Sequence, residues 1–176
     1  SFEMDDAMQS YALGGDENVL LFDPTFGTNK YGLQLSMFTA VAETGATVIL
    51  FVCLFRSGDE NTFKWCFKCF HDTFRVAPSY IFTDGDPAIA GALQECKSIW
   101  PNTYHALCVY HLFQNFFKHL HCLYAKTHDK WTELCRAWWK LAKDSDIRTC
   151  DSFDDRFDAE ILNHVKSFSN KDAPTY

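Results

Sequence analysis

Long hydrophobic runs are missing from this sequence. The longest, residues 46–55, has about half of the roughly 20 residues that a membrane span requires. The first eleven residues carry three acids and no Lys or Arg, so no secretory leader is visible. Glycine and proline are scarce, at 8 and 5 of 176 residues, and no low-complexity tract or internal repeat occurs, which excludes collagenous and disordered classes. Basic residues are in deficit: 16 Lys and Arg stand against 23 Asp and Glu, for a net charge of −7. A domain that grips a long stretch of nucleic acid through its own surface needs clustered Lys and Arg, so any such contact is expected to be local. The sequence opens without an initiator Met and ends at Tyr176 without a helix stop signal, which reads as a piece of a longer chain.

What is present is a core. Hydrophobic residues make up 47% of the chain, 17 of them Phe, and the length suits one domain, or two at most, with no need of disulfide staples. The eight cysteines are therefore read as reduced thiols of an intracellular protein, because Cys53, Cys66, Cys69 and Cys135 sit inside apolar or amphipathic patterns.

The pattern along the chain predicts a mixed α/β fold. Residues 19–22 read as a buried strand ending in an Asp23-Pro24 turn, and 33–42 and 46–55 as two further strands joined to it by hairpins. Ser57 or Asp59 then caps a helix on which Phe63, Phe67, Phe70 and Phe74 form one stripe, closed by Ala77-Pro78. Residues 80–82 form a short strand, Asp86-Pro87 starts a helix over 87–97, residues 104–107 form a fifth strand, and helices follow over 109–123, 130–143 and 153–168. A strand-helix-strand crossover makes the fourth strand parallel to the strand it joins, which gives a mixed, three-layer, RNase H-like arrangement. The expected organisation is a lead-in segment over 1–18, a core over 19–125 and a helical extension over 126–176.

With the fourth strand beside the first, Asp23 and Asp84 would emerge at neighbouring strand ends about 4.8 Å apart. Carboxylates held that close share a proton or bind divalent cations, and an all-oxygen ligand set favours Mg²⁺ or Mn²⁺. A pair of such ions suits in-line phosphoryl transfer. Asp-Pro and Asp-Gly at strand ends are also ordinary turn chemistry, so spacing alone leaves both readings open.

Three blocks occur in order: Asp23-Pro24-Thr25-Phe26-Gly27-Thr28-Asn29-Lys30-Tyr31, then Thr83-Asp84-Gly85-Asp86-Pro87-Ala88, then Pro101-Asn102-Thr103 with Cys108-Val109-Tyr110-His111 and Gln114-Asn115. Together they resemble the catalytic domain of Mutator-like element (MULE) transposases over residues 19–115. The resemblance implies an RNase H-like fold and a DDE-type site that cuts and joins DNA strands with Mg²⁺ or Mn²⁺ at transposon ends, in a nuclear protein that self-associates on DNA. Asp23 matches the first acid and Asp84 the second, both as metal ligands. Cys108, His111 and Asn115 match a supporting motif near the strand ends. Gln114 stands where relatives often carry a basic residue, which removes an expected phosphate contact. Asp86 is read as the cap of the helix at Pro87. The third acid of the family is a Glu on a late helix. Glu160, three residues before Asn163, mimics that spacing and is one candidate for the catalytic glutamate; 153–176 also resembles the segment preceding the glutamate, which makes a position beyond Tyr176 the other.

Other readings are bounded by the same residues. Cys66-x-x-Cys69 with Cys108-x-x-His111 supplies four zinc-type ligands, but the first pair lies in the middle of the Phe-striped helix, not on a turn. His105 and His119 read as ordinary strand and helix-face residues. Lys118, His119, His121, Lys126, His128 and Lys130 form the one basic neighbourhood, either a DNA-facing surface or a solvated helix face. The competing functions are a domesticated, non-catalytic, DNA-bound regulatory or protein-interaction module, and a nuclease acting on RNA–DNA hybrids.

Overall fold

Three strands lead the chain: β1 (Val19–Thr25), β2 (Gln34–Val41) and β3 (Thr47–Phe55). They form an antiparallel meander, as the hairpin spacing predicts. The structure, a computed structural model, describes residues 18–25, 29–41, 45–124, 128–144, 155–162 and 165. The chain divides into two compact units, Ser1–His111 and Leu112–Tyr176.

The first unit carries β4 (Tyr80–Thr83) and β5 (Tyr104–Leu107), both parallel to their neighbours, in one five-stranded sheet of order β3-β2-β1-β4-β5. Two helices connect these strands, α1 (Glu60–Phe74) and α2 (Pro87–Glu95). Asp59 caps α1 by accepting the Thr62 N–H at 2.9 Å. The helix stops short of Ala77-Pro78 because Arg75 turns left-handed at φ 57° and donates its N–H to the His71 carbonyl. Residues 96–98 continue α2 as a tighter 3₁₀ turn, so the helix proper ends before Lys97.

The Phe stripe packs as the helical period requires. Phe63, Phe67 and Phe70 are fully buried against Phe22 and Phe38 of the sheet, and Phe70 stacks on Phe38 with ring centroids 4.8 Å apart. Trp100 closes this core and donates its indole N–H to His71 Nδ1 at 3.2 Å. Lys64 of α1 and Glu95 of α2 form an ion pair that ties the two helices together.

Two local features depart from the sequence pattern. β1 runs through Asp23 and Pro24 instead of turning there, with Asp23 opposite Met37 and Pro24 opposite Ser36. Pairing with β4 ends at Leu21, so Pro24 lies where β1 has a partner on one side only, and a strand tolerates proline there. In β3 the register with β2 slips between Phe38 and Thr39, leaving Leu50 as an extra residue. The bulge changes the phase of the strand, so that Val48 and Leu50 face the core before it and Phe51, Cys53 and Phe55 after it.

The second unit is helical. It contains α3 (Val109–Tyr124) from Leu112 onward, α4 (His128–Ala142) and a wide π-type turn over Asp158–Leu162. Phe117, Leu134, Trp138, Leu141 and Ile161 form its core. The expected helix over 153–168 falls partly outside the described residues.

Candidate active site

Strand register decides which side chains share the carboxyl edge of the sheet. β1 and β4 run parallel with Val19 opposite Tyr80 and Leu21 opposite Phe82; Asp23 lies two residues beyond the last pair on β1, and Asp84 two residues beyond it and just past the end of β4. Leu20 and Phe22 of β1, and Ile81 and Thr83 of β4, face the core, and alternation puts the Asp23 carboxylate on the opposite face of the sheet. The strand order puts β4 beside β1 and parallel to it, the arrangement that the expected convergence requires.

The backbone around each acid differs. Asp23 stays paired with β2, and its side chain is 51% exposed. Asp84 lies past the end of β4 and is half-buried; its Oδ1 accepts the Asp86 N–H at 3.1 Å. Asp86 Oδ1 accepts the Ala88 N–H at 2.8 Å at the start of α2. The Asp86 carboxylate is thus engaged as a helix cap.

β5 brings the third block to the same edge. Leu107 pairs with Thr83, and the Cys108 N–H donates to the Thr83 carbonyl at 2.7 Å. The chain then enters α3, whose first turn places His111 Nε2 3.9 Å from Asp23 Oδ1. The other ring nitrogen, Nδ1, is buried and without a hydrogen-bond partner among the described residues. Asn115 is exposed on α3 one turn further along. Glu160 sits in the helical unit, where Arg156 Nε lies 2.8 Å from its Oε1 and Lys140 Nζ 3.8 Å from its Oε2.

Among the described residues no three His, Cys, Asp or Glu side chains close on a common point, so a cage built wholly from protein ligands is not formed. Two carboxylates at the ends of neighbouring strands would suit Mg²⁺ or Mn²⁺, since Mg²⁺ keeps several waters and binds through one or two carboxylates plus substrate phosphate. They do not suit tetrahedral zinc. Cys66 is fully buried, and its contact with Cys53, reinforced by burial, pushes its thiol up and holds it protonated. Of the basic stretch, Lys118 and Lys130 are exposed, while the side chains of His119, His121, Lys126 and His128 lie outside the described residues.

In the sequence Thr83 reads only as the first residue of the second block and His105 as an ordinary strand residue, and the contact between them is not foreseen. His105 Nε2 lies 2.8 Å from Thr83 Oγ1, and that hydroxyl also contacts the Asp84 carbonyl at 2.8 Å. Burial, with a smaller contribution from the Lys97 ammonium, lowers the His105 pKa from the ordinary histidine value. The available signal is alternation: His105 and Thr83 fall on the core-facing side of adjacent parallel strands two positions out of step.

A mixed five-stranded sheet of this order, an antiparallel meander continued by two parallel strands with connecting helices, is an RNase H-like α/β fold. The family model described as MULE transposase domain matches residues 19–115, more than half of the sequence, and the chain belongs to that family. Among curated proteins it is similar to Putative protein FAR1-RELATED SEQUENCE 10 of Arabidopsis thaliana, at 28% identity over 137 residues, covering 75% of this chain and 19% of that protein. Protein FAR1-RELATED SEQUENCE 5 of the same plant is 30% identical over 110 residues, covering 61% of this chain and 13% of that protein. The chain thus spans less than a fifth of either relative. Among solved structures, a simian T-cell lymphotropic virus intasome is matched at 12% identity and TM-score 0.42, over 80% of this chain and 47% of that one. The HTLV-2 integrase catalytic core domain in complex with magnesium is matched at 13% identity and TM-score 0.38, over 80% of this chain and 82% of that one.

Among the described residues no helix is long and apolar enough to cross a membrane.

Proposed function

We propose that this transposase-related domain is the metal-binding core of an enzyme that cleaves and joins DNA at transposon ends. The observation that carries the reading is the parallel β1/β4 pair, in which Asp23 near the end of one strand and Asp84 just past the end of the other lie equally far beyond the last paired residues. Asp23 and Asp84 would hold Mg²⁺ or Mn²⁺, and the bound ion would supply Lewis-acid polarisation of a phosphate oxygen and charge neutralisation at the leaving oxygen. The protein's part is to hold the two carboxylates at neighbouring strand ends and to keep Asp86 out of the ligand set as a cap.

The third acid of this reading is Glu160 or a glutamate in a longer form of the protein. Arg156 and Lys140 already neutralise Glu160 within the helical unit, which favours the second. DNA is the proposed partner, with self-association in a synaptic complex, and the nucleus the proposed compartment. The net charge of −7 fits an arrangement in which end recognition lies in a separate basic region.

The test is Mn²⁺ binding and metal-dependent nicking of a duplex carrying a terminal inverted repeat, for the parent chain, Asp23→Asn and Asp84→Asn. The reading expects the parent to bind Mn²⁺ and each variant to lose binding. A parent that binds no Mn²⁺ would sink it.

A second reading, a domesticated DNA-bound module without catalysis, draws on the finding that among the described residues no three His, Cys, Asp or Glu side chains are grouped to hold a metal ion. It predicts Mn²⁺-independent partner binding that Asp23→Asn leaves intact.

A further inference from the structure

Thr83 ends β4 immediately before Asp84 and is 1% exposed. Its hydroxyl oxygen has two neighbours, the Asp84 carbonyl at 2.8 Å and His105 Nε2 at 2.8 Å. Proton counting orders this chain of contacts. A carbonyl oxygen only accepts and a hydroxyl carries one proton, so the Thr83 proton goes to the Asp84 carbonyl. The hydroxyl must then accept from the ring, which assigns His105 as the Nε2–H tautomer.

The donor end of this chain is itself well held. His105 sits in β5 opposite Ile81 of β4, on the side that faces the core. It lines a cavity of about 140 Å³ together with Trp100, Thr103 and Lys97. Lys97 in turn donates to the Thr103 carbonyl at 3.1 Å, and the Thr103 hydroxyl donates to the Pro78 carbonyl. The ring is carried on β5, the strand adjoining that of Asp84, while Asp84 itself is the first residue beyond β4. A residue just past a strand end has lost its ladder partners, and a side-chain brace is what keeps its backbone from swinging.

We propose that His105 and Thr83 are positioning residues for Asp84: the imidazole orients the Thr83 hydroxyl, and that hydroxyl clamps the Asp84 carbonyl so that the carboxylate leaves the sheet in one direction. The Asp86 N–H on Asp84 Oδ1 at 3.1 Å completes the arrangement, engaging one carboxylate oxygen in the turn and leaving Oδ2 for a cation. This assignment rests on the reading of Asp84 as a metal ligand for its function, but not for its geometry.

The experiment uses the full chain and four variants. Thr83→Val removes the hydroxyl at constant shape, and His105→Phe removes the donor. Thr83→Ser and His105→Gln retain a hydroxyl and a donor. Two quantities are read: the Mn²⁺ dissociation constant and, in metal-free protein, the hydrogen-exchange protection of the Asp86 amide, with the β2 and β3 amides as the check on folding. Thr83→Val and His105→Phe are expected to weaken Mn²⁺ binding about 10–100-fold and to lower Asp86 protection, with Thr83→Ser and His105→Gln close to the parent. If the parent binds no Mn²⁺ but Asp86 protection falls in the two disruptive variants, the metal reading fails and the positioning role stands. If the parent binds Mn²⁺ and the folded disruptive variants match it in both quantities, the positioning role is wrong. Ring ¹⁵N shifts of the unmodified protein give an independent check should Thr83→Val and His105→Phe not fold, because an Nδ1–H tautomer at His105 would overturn the proton order.

Discussion

His111 Nε2 stands 3.9 Å from Asp23 Oδ1, linking the first turn of α3 to the end of β1. The contact joins two of the three sequence blocks across 88 residues of chain, and it leaves Nδ1 of the same ring buried without a partner among the described residues. An orphaned buried nitrogen costs about 1–3 kcal/mol, so the ring is held here against a local penalty.

Replacing His111 with Phe removes that penalty and keeps the ring volume. The variant is expected to unfold in urea within about 1 kcal/mol of the parent, because the relief at Nδ1 offsets lost polar contact. Mn²⁺ affinity should fall by about tenfold, as for loss of an outer partner of a metal ligand. A destabilisation well beyond this would mean that Nδ1 has a partner elsewhere in the protein.

Asp84 and Asp86 are two residues apart and should separate cleanly. Asp86→Ala removes the cap of α2 and is expected to cost about 1 kcal/mol in a denaturant melt while leaving Mn²⁺ binding intact. Asp84→Asn is expected to keep stability and lose Mn²⁺ binding. Equal loss of metal from both would make Asp86 a ligand.

Stability should depend on pH through His105. Burial lowers its folded pKa below the unfolded value of 6.5, so on acidification the unfolded chain takes up a proton before the folded one does. Stability is then flat above the unfolded pKa, falls as pH drops through it, and levels off below the folded pKa. His105→Gln should flatten this part of the profile, measured as urea midpoint against pH in metal-free protein. An unchanged profile would place the acid sensitivity on another histidine.

Glu160→Gln tests the third acid. With Arg156 and Lys140 on its two oxygens, the substitution is expected to lower the stability of the helical unit slightly and to leave Mn²⁺ binding unchanged. Loss of metal-dependent nicking with the fold intact would return Glu160 to the catalytic set.

Much of this architecture was legible residue by residue. The stripe Phe63, Phe67, Phe70, Phe74 predicted the buried face of α1, Asp59 its start, and Asp86-Pro87 the start of α2, because period and capping are local properties of the chain. Pro24 and Leu50 were not legible. A proline reads as a stop unless one knows that the neighbouring strand has already ended, and a bulge inside a continuous apolar run leaves no mark in composition.

The candidate site divides in the same way. Asp23 and Asp84 were identifiable as strand-end acids in a recognisable set of blocks, and the strand order that puts β4 beside β1 follows from the crossover the sequence predicts. The contact between Thr83 and His105 became visible only in three dimensions, since nothing local joins them until parallel pairing sets one diagonal to the other. Sequence by itself determined the elements, their ends and the residue types available for metal chemistry, because those follow from the few residues on either side. Tertiary structure alone decided which hydroxyl meets which ring and which carbonyl is clamped, because hydrogen bonds depend on positions to a fraction of an ångström and those positions come from strands distant in the chain.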